Sequence, residues 1–98
     1  MKKISHEIKP KSGSLQEFFG KNCVIDVLFT IAKWKDFGEY FEVTSVDIEK
    51  VDYYAEHLSE SETLGWEKIP GNIDSVLQEY CIEYLSYDRQ DLIKQASD

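Results

Sequence analysis

The longest run of apolar side chains in the sequence extends over residues 23–34. Every odd position from 23 to 31 is apolar, whereas the even positions are mixed and include Asp26 and Thr30. A period of two with many β-branched residues is typical of a strand that buries one face completely. The pattern therefore favours a strand. A helix is the alternative, because helical spacing also fits Val24, Val27, Leu28 and Ile31.

A turn and a second strand follow this run. Asp36 and Phe37 precede Gly38, and glycine accepts the positive φ that a tight reversal requires. The next segment is rich in β-forming residues, so we predict an antiparallel hairpin with strands at about residues 23–34 and 39–48. After Thr44 the apolar side chains move from odd positions, Phe41 and Val43, to even positions, Val46 and Ile48. This shift predicts a β-bulge or the end of the strand.

Three other segments lack a clear period. Residues 1–13 are polar and are interpreted as a flexible arm, with an extended pairing around residues 4–8 as the alternative. Residues 47–60 fit either a helix or a third strand, and the strand is slightly favoured. Residues 59–71 contain Ser, Gly and Pro and are predicted to be a loop.

A short N-terminal helix is predicted at about residues 15–20. Ser14 and Glu17 have the spacing of a capping box, in which the two side chains satisfy free amide groups at the start of a helix. Gly20 is suited to the helix end. We expect both phenylalanines of this helix, Phe18 and Phe19, to pack onto the core.

The clearest helical period lies at about residues 73–86, where apolar side chains recur at i, i+3, i+4 and i+7. Asn72 is the predicted N-cap, and the alternative is that the helix extends to residue 95. The elements together predict one α+β domain over residues 1–98. We expect a small antiparallel sheet of two or three strands, covered on one face by the C-terminal helix and at an edge by the N-terminal helix.

Charge is distributed unevenly along the chain, whose formal net charge is −8. Residues 1–35 hold seven lysines and three acids, a net charge of +4, whereas residues 36–98 hold sixteen acids and four basic residues, a net charge of −12. This balance disfavours direct binding to nucleic acid or to an anionic membrane. The basic N-terminus is not followed by an apolar segment, so no signal peptide is predicted and a cytoplasmic location is expected.

Residues of the types found in catalytic and metal-binding sites are scattered along the chain. His6 and His57 are not in a metal-binding spacing, and Cys23 and Cys81 lie among apolar neighbours as small buried side chains would. The five glycines do not form a phosphate-binding loop. We therefore expect no catalytic residue, metal or cofactor, and we predict that the chain is not an enzyme.

Acidic side chains interspersed with tyrosines are the strongest functional signal. Carboxylates complement lysine and arginine, and tyrosine provides contact area, so the sequence predicts a protein that binds a basic protein partner. The partner would be a nuclease, a toxin or a nucleic-acid-guided complex, and the chain would block its nucleic-acid-binding site as an inhibitor, an immunity protein or a nucleic-acid mimic. The predicted partner-binding residues are Glu49, Asp52, Tyr53, Tyr54, Glu56, Glu79, Glu83 and Tyr87.

In size and charge the chain is similar to bacterial toxin-immunity proteins and to phage-encoded inhibitors of host defence. This similarity is one of composition and rests on no particular residues, so it implies a class of function only. The alternative hypothesis is an accessory or structural module of phage or bacterial origin that self-associates.

Overall fold

A computed structural model describes residues 3–86 and residue 91, apart from the side chain of Trp66. It confirms the predicted α+β class. In chain order the elements are β1 (Ile4–Ile8), α1 (Ser14–Phe19), β2 (Val24–Asp36), β3 (Phe41–Tyr54), β4 (Glu62–Leu64), a 3-10 turn (Trp66–Lys68) and α2 (Gly71–Ser86). None of the helices in this part of the chain combines the length and the apolar character needed to cross a membrane.

The four strands form one antiparallel sheet in the order β1-β2-β3-β4. The apolar run forms most of β2, one of the two inner strands, and its odd positions from 25 to 31 are buried as the period of two predicts. β2 and β3 form the predicted hairpin, although both strands are longer than the sequence pattern indicates. The predicted count of two or three strands is too low, because β1 and β4 add one short strand at each edge.

Three β-bulges interrupt the pairing of β2 with β3. Each leaves one residue without a direct cross-strand neighbour, namely Ala32 on β2 and Thr44 and Glu49 on β3. The bulge at Thr44 explains the switch of apolar phase that the sequence shows there. β3 continues through both of its bulges to Tyr54, so residues 47–54 extend the second strand and form neither a helix nor a separate third strand.

The core lies on one face of the sheet, and both helices pack against that face. α2 contributes Ile73, Leu77, Cys81 and Leu85, which recur every four residues and form one buried side of the helix. This confirms the predicted C-terminal helix, which begins at Gly71 rather than after Asn72. The alternative extension to residue 95 lies outside the described residues.

The N-terminal segment is less irregular than predicted. Ile4 and Ile8 are buried on the core face and are paired with Phe29 and Ile25 of β2, so the arm interpretation is wrong for this stretch and the extended alternative is confirmed. The pairing forms because two isoleucines spaced by four residues bury the same side of an extended strand. The predicted loop at 59–71 likewise contains β4, where Thr63 is paired with Asp52.

The structure confirms the short helix α1. Its C-cap is Gly20, whose amide donates a hydrogen bond to the carbonyl oxygen of Gln16 at 2.9 Å. The capping box is not formed, because α1 begins at Ser14 and no side chain caps it. Only Phe19 of the two phenylalanines is buried. The Phe18 side chain is 40% exposed and contacts Phe19 edge to face.

Candidate functional site

The face of the sheet opposite the core is not covered by a helix within the described residues. We call it the outer face, and it consists of side chains that alternate with the core positions and match one another in register: Ser5, Glu7, Val24, Asp26, Leu28, Thr30, Asp47, Lys50, Asp52, Tyr54 and Thr63. The sequence produces this face because β1, β2 and the end of β3 place polar residues between buried apolar ones. Strand register therefore makes these side chains neighbours on one side of the sheet.

Three carboxylates lie side by side on the outer face. Glu7 on β1 is paired with Asp26 on β2, and Asp26 is paired with Asp52 on β3. We call these residues the carboxylate row. Neighbouring strands are about 4.8 Å apart, so the row crosses three strands almost at right angles to them. Like charges directly opposite each other destabilise a sheet, so this arrangement is unfavourable for folding.

The cations near the row leave its centre uncompensated. Lys9 Nζ lies 3.2 Å from a carboxylate oxygen of Glu7, and Lys50 Nζ lies 3.4 Å from one of Asp52. Thr63 Oγ1 also donates a hydrogen bond to Asp52. Asp26 is exposed and has no ion-pair partner in the described part of the chain. Each ion pair is on the surface and contributes little, so the row keeps a negative potential towards solvent.

Apolar and aromatic side chains border the carboxylate row. Tyr54 is 45% exposed and is paired with Val24 on one side of the row. Leu28 lies on the other side, between Ser5 and Lys50. Tyrosine is enriched at protein interfaces, so Tyr54 is a candidate aromatic anchor beside the carboxylate row.

The outer face holds part of the predicted binding set. Asp52 and Tyr54 belong to it, and Glu49 borders it in a β-bulge, where Lys3 Nζ lies 2.8 Å from its carboxylate. Tyr53 points to the opposite face, although it was predicted to contact a partner. Its ring packs edge to face on Phe19 at 5.0 Å. Burial raises the pKa of Tyr53, and a hydrogen bond from its hydroxyl to Glu62 at 3.2 Å adds to the shift.

The remaining predicted residues are not brought to the outer face. Glu56 lies in the turn after β3, where it accepts a hydrogen bond from the Asn22 side chain. Glu79 and Glu83 are on the exposed side of α2, on the other side of the molecule, because α2 packs against the core face. Tyr87 lies outside the described residues. The predicted set therefore does not form one surface.

Sequence reasoning missed Glu7 and Asp26. Both were counted in the basic first third of the chain, and only strand register places them beside Asp52. Two signals could have found them. Ile4 and Ile8 alternate with polar residues that include Glu7, and Asp26 is the one acid within the apolar run.

Nucleophilic and metal-binding chemistry has little support from the described residues. Cys23 and Cys81 are free thiols, and both are buried as the sequence interpretation expected. Burial raises the pKa of Cys81 to about 12 and also raises that of Cys23, so both thiols remain protonated near neutral pH. Residues 3–86 and 91 contain no group of three His, Cys, Asp or Glu side chains placed to hold a metal ion.

No family model matches the chain, and neither a curated protein nor a solved structure matches it. We therefore infer function from the surface of this chain alone.

Proposed function

We propose that this chain is a non-enzymatic acidic binding protein whose outer face occupies a basic, nucleic-acid-binding site on a nuclease, a toxin or a defence complex, and thereby blocks it. The observation that carries the proposal is the carboxylate row of Glu7, Asp26 and Asp52. Its central member lacks a cation in the part of the chain that the structure describes.

The energetic cost of the row supports a binding role. Three carboxylates in direct register disfavour folding, and a threonine at the central position would suit a strand better. Proteins retain locally unfavourable arrangements mostly where function requires them. Lysine or arginine side chains of a partner would relieve the repulsion, so the same charges that oppose folding favour the complex.

The position of the row on strands supports mimicry of a nucleic acid. A site that binds phosphates presents cationic side chains to a regular series of negative charges. Strands joined by backbone hydrogen bonds hold their Cα positions at fixed spacing, so the row offers such a series without a cost for ordering the backbone on binding. The net charge of −8 also speeds encounter with a basic surface.

The test compares two charge-reversed variants that change the net charge equally. One carries Glu7→Lys with Asp26→Lys on the outer face, and the matched control carries Glu79→Lys with Glu83→Lys on α2. Asp52 is left unchanged because it also accepts the hydrogen bond from Thr63. Both variants and the original chain serve as bait in lysate of the cells that encode the chain, and captured proteins are identified by mass spectrometry.

We expect a basic protein to be captured by the original chain and by the helix variant, and to be lost with the outer-face variant. Calorimetry with the purified partner should show the same order of affinities, and a nucleic acid that the partner binds should displace the chain. Equal loss in both variants would indicate attraction by net charge alone and would contradict the proposal. So would a captured partner that still binds its nucleic acid in the complex.

A further inference from the structure

The tip of the β2–β3 hairpin exposes two aromatic rings. The side chains of Phe37 and Tyr40 are each 50% exposed, and their rings stack on each other with centroids 5.0 Å apart and an angle of 19° between planes. They are the two most exposed large hydrophobic side chains in the described part of the chain. Neither ring was predicted to be a contact residue. Tyr40 was assigned to the second strand, which begins one residue later, at Phe41.

The turn that carries these rings is held by hydrogen bonds of its own. An Asp36 carboxylate oxygen accepts a hydrogen bond from the amide of Gly38 at 2.8 Å. The amide of Phe37 donates to the carbonyl oxygen of Tyr40 at 3.0 Å, and Gly38 has a φ of 86°, a conformation that favours glycine. The rings are therefore positioned before any partner arrives, which lowers the entropy lost on binding.

A pocket of about 290 Å³ lies beside the exposed rings and is lined by Tyr40, Phe41, Glu42 and Ser86. Its walls combine an aromatic face with one carboxylate, and a second exposed carboxylate, that of Glu39, precedes Tyr40 in the turn. Lys35 is the register partner of Glu42, but the two form no ion pair. A planar cation that can stack on a ring and donate to a carboxylate at its edge matches this combination.

We propose that the hairpin tip is an anchor site for an arginine side chain of a protein partner, with its guanidinium stacked on Tyr40 and hydrogen-bonded to Glu42. Arginine fits better than lysine, because the guanidinium is flat, weakly hydrated and able to bond a carboxylate through two donors. A second copy of this chain fits worse, because pairing two tips would bring Glu39 and Glu42 of both copies together. A purely apolar segment would bury these carboxylates without a cation.

The proposal rests on the proposed function only in expecting a basic partner, and the tip can be tested without that partner. The probe is a short peptide with a single arginine between glycine and serine residues, titrated into the full chain and followed by two-dimensional amide NMR. Two matched peptides carry lysine or citrulline, which has the shape of arginine without its charge, in place of the arginine.

We expect saturable shifts at Gly38, Tyr40, Glu42 and Ser86 with the arginine peptide, weaker shifts with lysine and none with citrulline. Tyr40→Ala should weaken arginine binding roughly fivefold, whereas Tyr40→Phe should retain it because the ring remains. Glu42→Gln should also weaken it. The matched control is Tyr54→Ala, which removes a tyrosine of similar exposure from the outer face and should leave the titration unchanged.

Equal shifts with arginine and citrulline, or an affinity for the arginine peptide that is unchanged in Tyr40→Ala, would overturn the proposal. So would a binding site that maps to the outer face. The spectra of each variant show directly whether it has kept its fold. If arginine binds the tip while no partner depends on the carboxylate row, the proposed function fails and the tip site stands. If the row captures a partner while the tip does not bind arginine, the reverse holds.

Discussion

Phe29 and Leu28 are neighbours on β2, yet they belong to surfaces with different energetics. Phe29 is fully buried on the core face, and its two register partners, Ile4 and Ile48, are both apolar. Leu28 lies between Ser5 and Lys50 on the outer face, two residues from Asp26. The same strand thus carries apolar contacts that favour folding on one face and direct charge repulsion on the other.

This difference indicates where function is to be sought. The described residues include no buried side-chain nitrogen or oxygen without a hydrogen-bond partner, and the buried positions are hydrophobic, apart from Pro10. Local and global preferences therefore agree on the core face. They disagree on the outer face, at the carboxylate row, and such a disagreement is expected where binding rather than stability has determined the residues.

The largest expected effect separates the two faces directly. Phe29→Ala should lower the free energy of unfolding by about 3–5 kcal/mol, because it leaves a cavity among packed side chains. Leu28→Ala, the matched control on the outer face, should lower it by about 1 kcal/mol, because this side chain is only half-buried. Urea unfolding followed by circular dichroism measures both. Similar losses in the two variants would show that the outer face is packed like a core.

A smaller effect of opposite sign is expected at the carboxylate row. Asp26→Asn should raise the free energy of unfolding by about 0.2–1 kcal/mol at low salt, because it removes the repulsion from Glu7 and Asp52. Aspartate and asparagine are both poor strand formers, so backbone preference changes little. The gain should shrink as added salt screens the charges.

Asp47→Asn is the control for that measurement. It removes the same charge from the outer face, but Asp47 is paired with Thr30 rather than with a carboxylate. Its effect on unfolding should be close to zero at every salt concentration. An equal gain in both variants would attribute the effect to the net charge of the chain, and no gain at Asp26 would remove the energetic argument for the row.

The sequence predicts the strand β2, the hairpin and the helix α2, because each has a strong and regular period. It leaves residues 47–60 ambiguous for a physical reason. The bulges at Thr44 and Glu49 each insert one residue, so the buried positions of β3 step by three there, from Val43 to Val46 and from Ile48 to Val51. A spacing of three imitates a helix, and only the pairing with β2 resolves it.

The candidate site was harder to predict than the fold, since it depends on which residues become neighbours. Charge totals along the chain place Glu7 and Asp26 in a basic segment, whereas register places them beside Asp52. The totals also group Glu79 with the acids of β3, although α2 carries it on the opposite side of the molecule. Linear charge therefore indicates a class of partner but does not define a surface.

The smallest expected effect tests whether the core face also carries a charge-sensitive position. His6 is half-buried on that face and stacks on Tyr84 with ring centroids 4.0 Å apart. Burial lowers the pKa of His6 below its usual 6.5, and the charge of Glu7 opposes part of the shift.

As the pH falls below about 6.5, the unfolded chain binds a proton at this residue before the folded protein does, so stability decreases until the pH passes the lower pKa of the folded state. Urea unfolding at pH 7.0 and pH 5.5 should show this decrease in the original chain and a smaller one in His6→Phe, which keeps an aromatic ring against Tyr84. Asp26→Asn retains the histidine, so it should keep the part of the stability decrease that comes from His6. An unchanged pH dependence in His6→Phe would show that the charge-sensitive groups lie elsewhere than on the core face.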